Sequence, residues 1–242
     1  MPQAVERIRR AIELGELITV YGDYDCDGVT ATALLVSYLQ SAGANISYYL
    51  PDRYTEGYGL NKPAVKLLAE HEVRLIVTVD NGISAREEIA YANSLGVDVV
   101  VTDHHTPPPV LPDAVAVVDP HRQDCPYPFE HLAGVGVAFK LVCALEGDNG
   151  TEMADYYAHL VALGTIADLV PLKEENRLLV QMGLARMADN GAPGLESLAQ
   201  LAGISLEGIA SEQVAFGLAP RMNAAGRMET AEVAADLLLS DD

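Results

Sequence analysis

The sequence predicts an α/β fold, a parallel sheet with helices on both faces, followed by a mostly helical lobe. Three observations carry this. Short apolar runs alternate with amphipathic segments from residue 1 to about residue 120, the pattern of strand–helix–strand units in a parallel sheet. The runs Leu17–Tyr21, Leu75–Val79 and Val97–Thr102 each lead within two residues into aspartate. From Leu132 onward only helix-like segments follow, separated by glycine-rich breaks.

In order, a charged amphipathic helix over Val5–Leu14 precedes a strand at Leu17–Tyr21. The apolar segment Val29–Ser41 reads as a helix opened by Gly28, with a strand over Ile46–Leu50 after it. Lys62–Glu70 is helical, Arg74–Val79 a strand, Ala85–Leu95 a helix, Val97–Thr102 a strand, and Ala114–Val118 one further strand. The second part holds helical segments near 132–146, 152–163, 174–189, 194–202, 211–218 and 230–240. Gly147–Gly150, Gly191–Gly194 and Gly203 are the expected breaks. The 242 residues form one unit, 1–125 as its sheet part and 126–242 as its mainly helical part, with no sharp boundary between them.

Half of the residues are hydrophobic, enough for a sizeable core. No apolar run is long enough to span a bilayer. Cys26, Cys125 and Cys143 lack CxxC spacing, which argues against a thiolate zinc site or a disulfide framework and suits the cytoplasm. The formal net charge of −20 conflicts with nucleic-acid binding, which normally brings a basic face.

The organising stretch is VYGDYDCDGVTATA, residues 20–33, with Asp23, Asp25 and Asp27 in alternation at a strand end. Packed like charges repel, and a divalent cation relieves the repulsion. The plain alternative makes them turn and cap residues, with Asp27 capping the next helix. In an open parallel sheet the carboxyl ends of the strands share one edge, where ligands bind. That edge would collect the three aspartates, Asp80-Asn81-Gly82 and Asp103-His104-His105, with Asp168 arriving after the apolar run Leu160–Ala167. Carboxylates with a minority of imidazole suit Mn²⁺ or Mg²⁺ over structural zinc. Five or more ligands fit two ions that clamp a phosphoryl group, activate a water and stabilise the leaving oxygen. His104 and His105 leave the backbone in different directions, so one can bind metal while the other reaches the phosphate.

Asp103-His104-His105, with GDYDCDG before it, VDNG between and GTIADLVPL after, resembles the DHH phosphoesterase superfamily, in order from residue 20 to residue 172. The segments PDRYTEGYGL (51–60), GVGVAFKL (134–141) and APRMNAAGRM (219–228) are similar to its exonuclease branch, which acts on single-stranded DNA. The resemblance implies a DHH catalytic domain that trims single strands from the 5′ end to mononucleotides, in DNA repair and recombination. It implies two Mn²⁺ (or Mg²⁺) ions on Asp25, Asp27, Asp80, His104 and Asp168, with Asp80 as the bridge. His105 would contact the scissile phosphate, and Asp103 would orient a neighbour. For Asp23 a ligand role and a backbone or turn role both stay open. Asn81, Arg221, Asn223 and Arg227 are placed with the substrate contacts, while Lys140 reads as a solvated flank. Tyr21 stands where many superfamily members have a metal-binding histidine, which implies fewer protein ligands on the first ion.

Members of that branch continue beyond this core, so the chain reads as a fragment lacking the DHH-associated C-terminal domain. The basic and aromatic surfaces that hold single strands would lie mainly there, which reconciles the charge and implies weak, salt-sensitive binding. A single-strand-binding protein or a helicase would be met through the missing regions, and no membrane partner is expected. The alternatives are a phosphodiesterase for short oligonucleotides or cyclic dinucleotides, and a catalytically silent DHH scaffold.

Overall fold

The computed structural model describes residues 1–189, 192–228 and 230–241. Gly191, one of the expected breaks, lies outside the described residues. The order is α1 (Pro2–Leu14), β1 (Leu17–Tyr21), α2 (Cys26–Ser41), β2 (Asn45–Tyr49), α3 (Lys62–Glu70), β3 (Val73–Val79), α4 (Arg86–Ser94), β4 (Asp98–Thr102) and β5 (Ala116–Val118). The helical lobe follows with α5 (Gly134–Glu146), α6 (Thr151–Ala167), α7 (Glu174–Arg186), α8 (Pro193–Ala202), α9 (Ser211–Gln213), α10 (Ala219–Met228) and α11 (Glu232–Leu239). A π-helical turn, Val214–Leu218, joins α9 to α10.

All strand pairs are parallel, in the order β2-β1-β3-β4-β5. The order reverses between β1 and β3, the switch point where a doubly wound sheet opens a crevice at its carboxyl edge. Side chains alternate across the sheet with period two. Ile18, Val20, Leu75, Val77 and Val100 face one core with α1, α2, α5 and α6. Tyr21, Ile76, Val99 and Val101 face the other with α3 and α4. A third cluster holds the lobe together and takes in Cys26 and Val29 of α2. Among the described residues no helix is long and apolar enough to cross a membrane.

Three element expectations are corrected. α2 begins at Cys26 rather than Val29, because Asp25 and not Asp27 is its cap: the Asp25 carboxylate accepts the Gly28 amide at 2.9 Å. α6 runs on to Ala167 instead of stopping near residue 163. The helix expected to close near residue 218 continues through the π turn, so APRMNAAGRM is itself helical.

Candidate active site

Register brings the acidic strand ends together. Tyr21 of β1 pairs with Thr78 of β3, and Val79 of β3 with Thr102 of β4, so Asp80 and Asp103 leave adjacent strands at the same level. Asp80 sits at φ 61°, in the left-handed region that aspartate enters more readily than most residues. The bend is held by Thr78, whose hydroxyl donates to the Asn81 carbonyl at 2.7 Å. The Asn81 amide donates to the Tyr21 and Val79 carbonyls at 3.2 and 2.9 Å. Asn81, expected among the substrate contacts, is fully buried; its amide nitrogen ties β1 to β3 and its oxygen has no hydrogen-bond partner.

His104 lies at the centre. Its Nε2 is 3.1 Å from Asp80 Oδ1, 3.8 Å from Asp168 Oδ2 and 3.9 Å from Asp27 Oδ2. Asp80 Oδ1 and His104 Nε2 are buried and neither has a hydrogen-bond partner. Two donors each about 2.1 Å from one octahedral ion stand roughly 3 Å apart, so the pair has the spacing of neighbouring ligands. Three groups each bring their ligand atoms within 4.8 Å of one another: Asp27-His104-Asp168, Asp80-His104-His105 and Asp23-Asp25-Asp80. His104 and Asp80 recur, as expected where two ions share a ligand.

Electrostatics favour cations there. Burial first, then the charges of Asp27, Asp25 and Asp23, pushes the Asp80 carboxyl well above its usual range. Asp27 is raised by burial and by Asp168, against the pull of two amides at the start of α5. Those amides, Gly134 N and Val135 N, donate to it at 2.6 and 2.9 Å, the usual anion preference of a helix N-terminus. Burial, helped by Asp25, raises Asp23 to about 7 and Asp168 to about 6. Burial and the neighbouring His105 lower His104 to about 4, so its imidazole is neutral and its lone pair free for a metal. Orphaned buried oxygens, a neutral histidine and carboxylates that resist ionisation fit a divalent cation pair.

His105 is set apart from this cluster. Asp103, wholly buried, accepts its Nδ1 at 2.7 Å and the amides of Ile83, His104 and His105 at 2.9, 2.7 and 3.1 Å. The hydrogen bond to Asp103 raises the His105 pKa. Against its own burial, the His105 partner holds Asp103 low. This is the orienting role read for Asp103. Tyr58 completes the wall, its hydroxyl 3.1 Å from the Asp80 carbonyl and 3.3 Å from His105 Nδ1. Tyr58, Leu60, Ile83, Ser84, Asp103 and His105 line a cavity of ≈ 360 Å³ beside it. Tyr58 was visible only as part of the EGYGL motif.

Of the two roles open for Asp23, the surroundings favour the ligand side. The residue is buried with Oδ1 unpartnered and lies within the group that holds Asp25 and Asp80. Gly28 lets it sit there, since a Cβ at that position would come within 2.6 to 2.7 Å of Asp23 atoms. Tyr21 points the other way, stacked on Tyr49 at 5.2 Å, its hydroxyl donating to Gly59 O and accepting from Asn61. The side lacking a histidine thus faces a third carboxylate.

In the late segment, the Asn223 oxygen accepts the Cys26 amide at 2.8 Å. Arg221 is exposed and bonds Gly217 O at 2.6 Å, and Arg227 is exposed. Lys140 is ion-paired with Glu175, a paired rather than a solvated lysine.

Fold and site define a class: an α/β protein with a carboxylate–imidazole cation centre at the carboxyl edge of a parallel sheet. The chain belongs to the DHH family, whose N-terminal domain model matches residues 17–165. It is 49% identical over 242 residues to the single-stranded-DNA-specific exonuclease RecJ of Bacillus subtilis (strain 168), covering 100% of this chain and 30% of that protein. A crystal structure of exonuclease RecJ bound to manganese superposes with TM-score 0.89 at 41% identity, covering 99% of this chain and 60% of that one. RecJ from Thermus thermophilus in complex with Mn²⁺ gives 0.84 at 38% identity, covering 99% and 34%.

Proposed function

We propose that the chain is the catalytic core of a 5′-to-3′ exonuclease for single-stranded DNA that uses two Mn²⁺ or Mg²⁺ ions and releases mononucleotides. The observation that carries this reading is the unpartnered pair Asp80 Oδ1 and His104 Nε2, 3.1 Å apart among buried aspartates. Asp25, Asp27, Asp80, His104 and Asp168 would hold the ions, with Asp23 added on the first-motif side. Bound there, the ions supply Lewis acidity and lower the pKa of water.

The chain's own groups supply the rest. His105, fixed by Asp103, which raises its pKa and so favours the protonated ring, stands at the mouth of the cavity. It balances charge on a phosphate or gives its Nε2 proton to the leaving oxygen. Tyr58 holds the His105 ring edge-on at 5.7 Å between centroids. Arg221 and Arg227 present guanidinium groups to a phosphate backbone.

Single-stranded DNA as substrate rests on the names of the relatives and on these arginines. A single-strand-binding protein or a helicase would bind the parts of the longer relatives outside the matched span. Three free thiols suit a cytoplasmic setting. A silent scaffold would need a broken donor set; the groups Asp27-His104-Asp168 and Asp23-Asp25-Asp80 support the active reading.

The test is Mn²⁺-dependent release of nucleotides from 5′-phosphorylated single strands. The parent is expected to release mononucleotides and Asp80→Ala to lose the activity, with the rate falling as salt rises. An inactive parent, or a variant as active as the parent, would sink the reading.

A further inference from the structure

The turn from Asp23 to Asp27 is not held by its own strand and helix alone. An N-cap side chain reaches the second or third amide of its helix, and Asp25 takes that of Gly28. The first amide, Cys26 N, is out of its reach. Asn223 supplies that acceptor, from α10 and 197 residues away in sequence. The rest of α10 follows the same line. Gly226 packs so closely that a Cβ there would stand 2.9 Å from the Tyr24 carbonyl. The Tyr54 hydroxyl donates to Arg227 O at 3.0 Å, and the Arg53 guanidinium lies 5.0 Å above the Tyr24 ring.

We propose that Asn223 is a positioning residue for the metal centre: by capping Cys26 from α10 it locks the Asp23–Asp27 turn in the arrangement that holds cations. The role rests on the two-ion reading and adds to it. The Cys26 amide belongs to the peptide that joins the cap Asp25 to α2, so its acceptor fixes how the backbone that carries Asp25 and Asp27 enters the helix. An acceptor on a packed helix holds that entry in place. Through its oxygen Asn223 acts on the backbone of the turn, as outer partners of metal ligands do.

Mn²⁺ titration of the metal-free chain, followed by the spin-resonance signal of free Mn²⁺, tests this without activity. Asn223→Ala is expected to bind about 10- to 100-fold more weakly. Asn223→Asp keeps the acceptor oxygen and is expected to bind close to the parent. Thermal unfolding of the metal-free proteins is read alongside, since a purely structural contact lowers the midpoint but leaves the Mn²⁺ affinity of the folded chain alone. Should Asn223→Ala not fold, Gly226→Ala, which forces α10 off Tyr24, is expected to weaken Mn²⁺ binding in the same way. Parental affinity in Asn223→Ala or in Gly226→Ala, or an Asn223→Asp variant as weak as Asn223→Ala, would overturn the proposal. A parent that binds no Mn²⁺ would remove the two-ion reading itself, and this role with it.

Discussion

Asp103 separates two jobs that the sequence runs together in one tripeptide. His104 faces the carboxylates and His105 faces the cavity, and of the two imidazole rings Asp103 bonds that of His105. Asp103→Asn should therefore lower turnover about 10- to 100-fold with Mn²⁺ affinity unchanged. The sign of the pH effect follows from the same bond. Asp103 raises the His105 pKa, so its loss should move the alkaline limb of the rate profile to lower pH. Weakened Mn²⁺ binding with a normal rate at saturating metal would place Asp103 on the ions instead. Most ligand candidates were readable as candidates because they follow strand ends, while Asp168 follows the end of α6. Which of Asp23, Asp25 and Asp27 turns toward Asp80 was not legible, because alternation in sequence does not tell. The backbone partners that tie down Asn81 and Asn223 were hidden too, since Tyr21 and Cys26 lie far along the chain.

At the level of elements, the tightest constraint is the junction of β1 and α2. Gly28→Ala places a methyl within 2.6 to 2.7 Å of Asp23 backbone and Cβ. Overpacking of this kind costs about 1–3 kcal/mol, which urea unfolding of the metal-free protein would register. A variant as stable as the parent would mean that the Asp23 turn yields freely. The strands and the first helices were legible within a few residues, because period-two and helical patterns are local. The start of α2 was not, since it depends on which of three aspartates serves as cap. Nor was the π turn at Val214–Leu218. Its extra residue per turn shifts the helix face and sets which side of α10 meets α2, a fit decided by tertiary packing.

Over the whole molecule, the acidic centre ties stability to pH and to metal. Asp27 and Asp80 have folded pKa values well above the ordinary carboxylate value, Asp23 lies at about 7, and His105 is raised above 6.5. Each group binds protons more tightly when folded, so its stabilising effect is lost as pH rises through its folded pKa. His104, lowered to about 4, works in the opposite sense only below 6.5. The thermal midpoint of the metal-free chain should therefore fall between pH 6.5 and pH 8. Mn²⁺ at 100 times its dissociation constant should add about 2.7 kcal/mol at pH 8. A flat or rising metal-free midpoint would show that the buried carboxylates ionise freely. The net charge of −20, awkward beside the proposed DNA substrate when read as a sum, is partly explained by where the aspartates gather, which composition cannot show.

The bond from Cys26 to Asn223 spans 197 residues, and this orders events during synthesis. β1, α2 and the three aspartates leave the ribosome early, and the sheet can pair as β3 and β4 follow. The acceptor that fixes the turn emerges 197 residues after the amide it caps, behind all five strands of the sheet. Until then a nascent chain carries its first acidic residues with that turn unlocked. The turn is completed after the sheet that carries it.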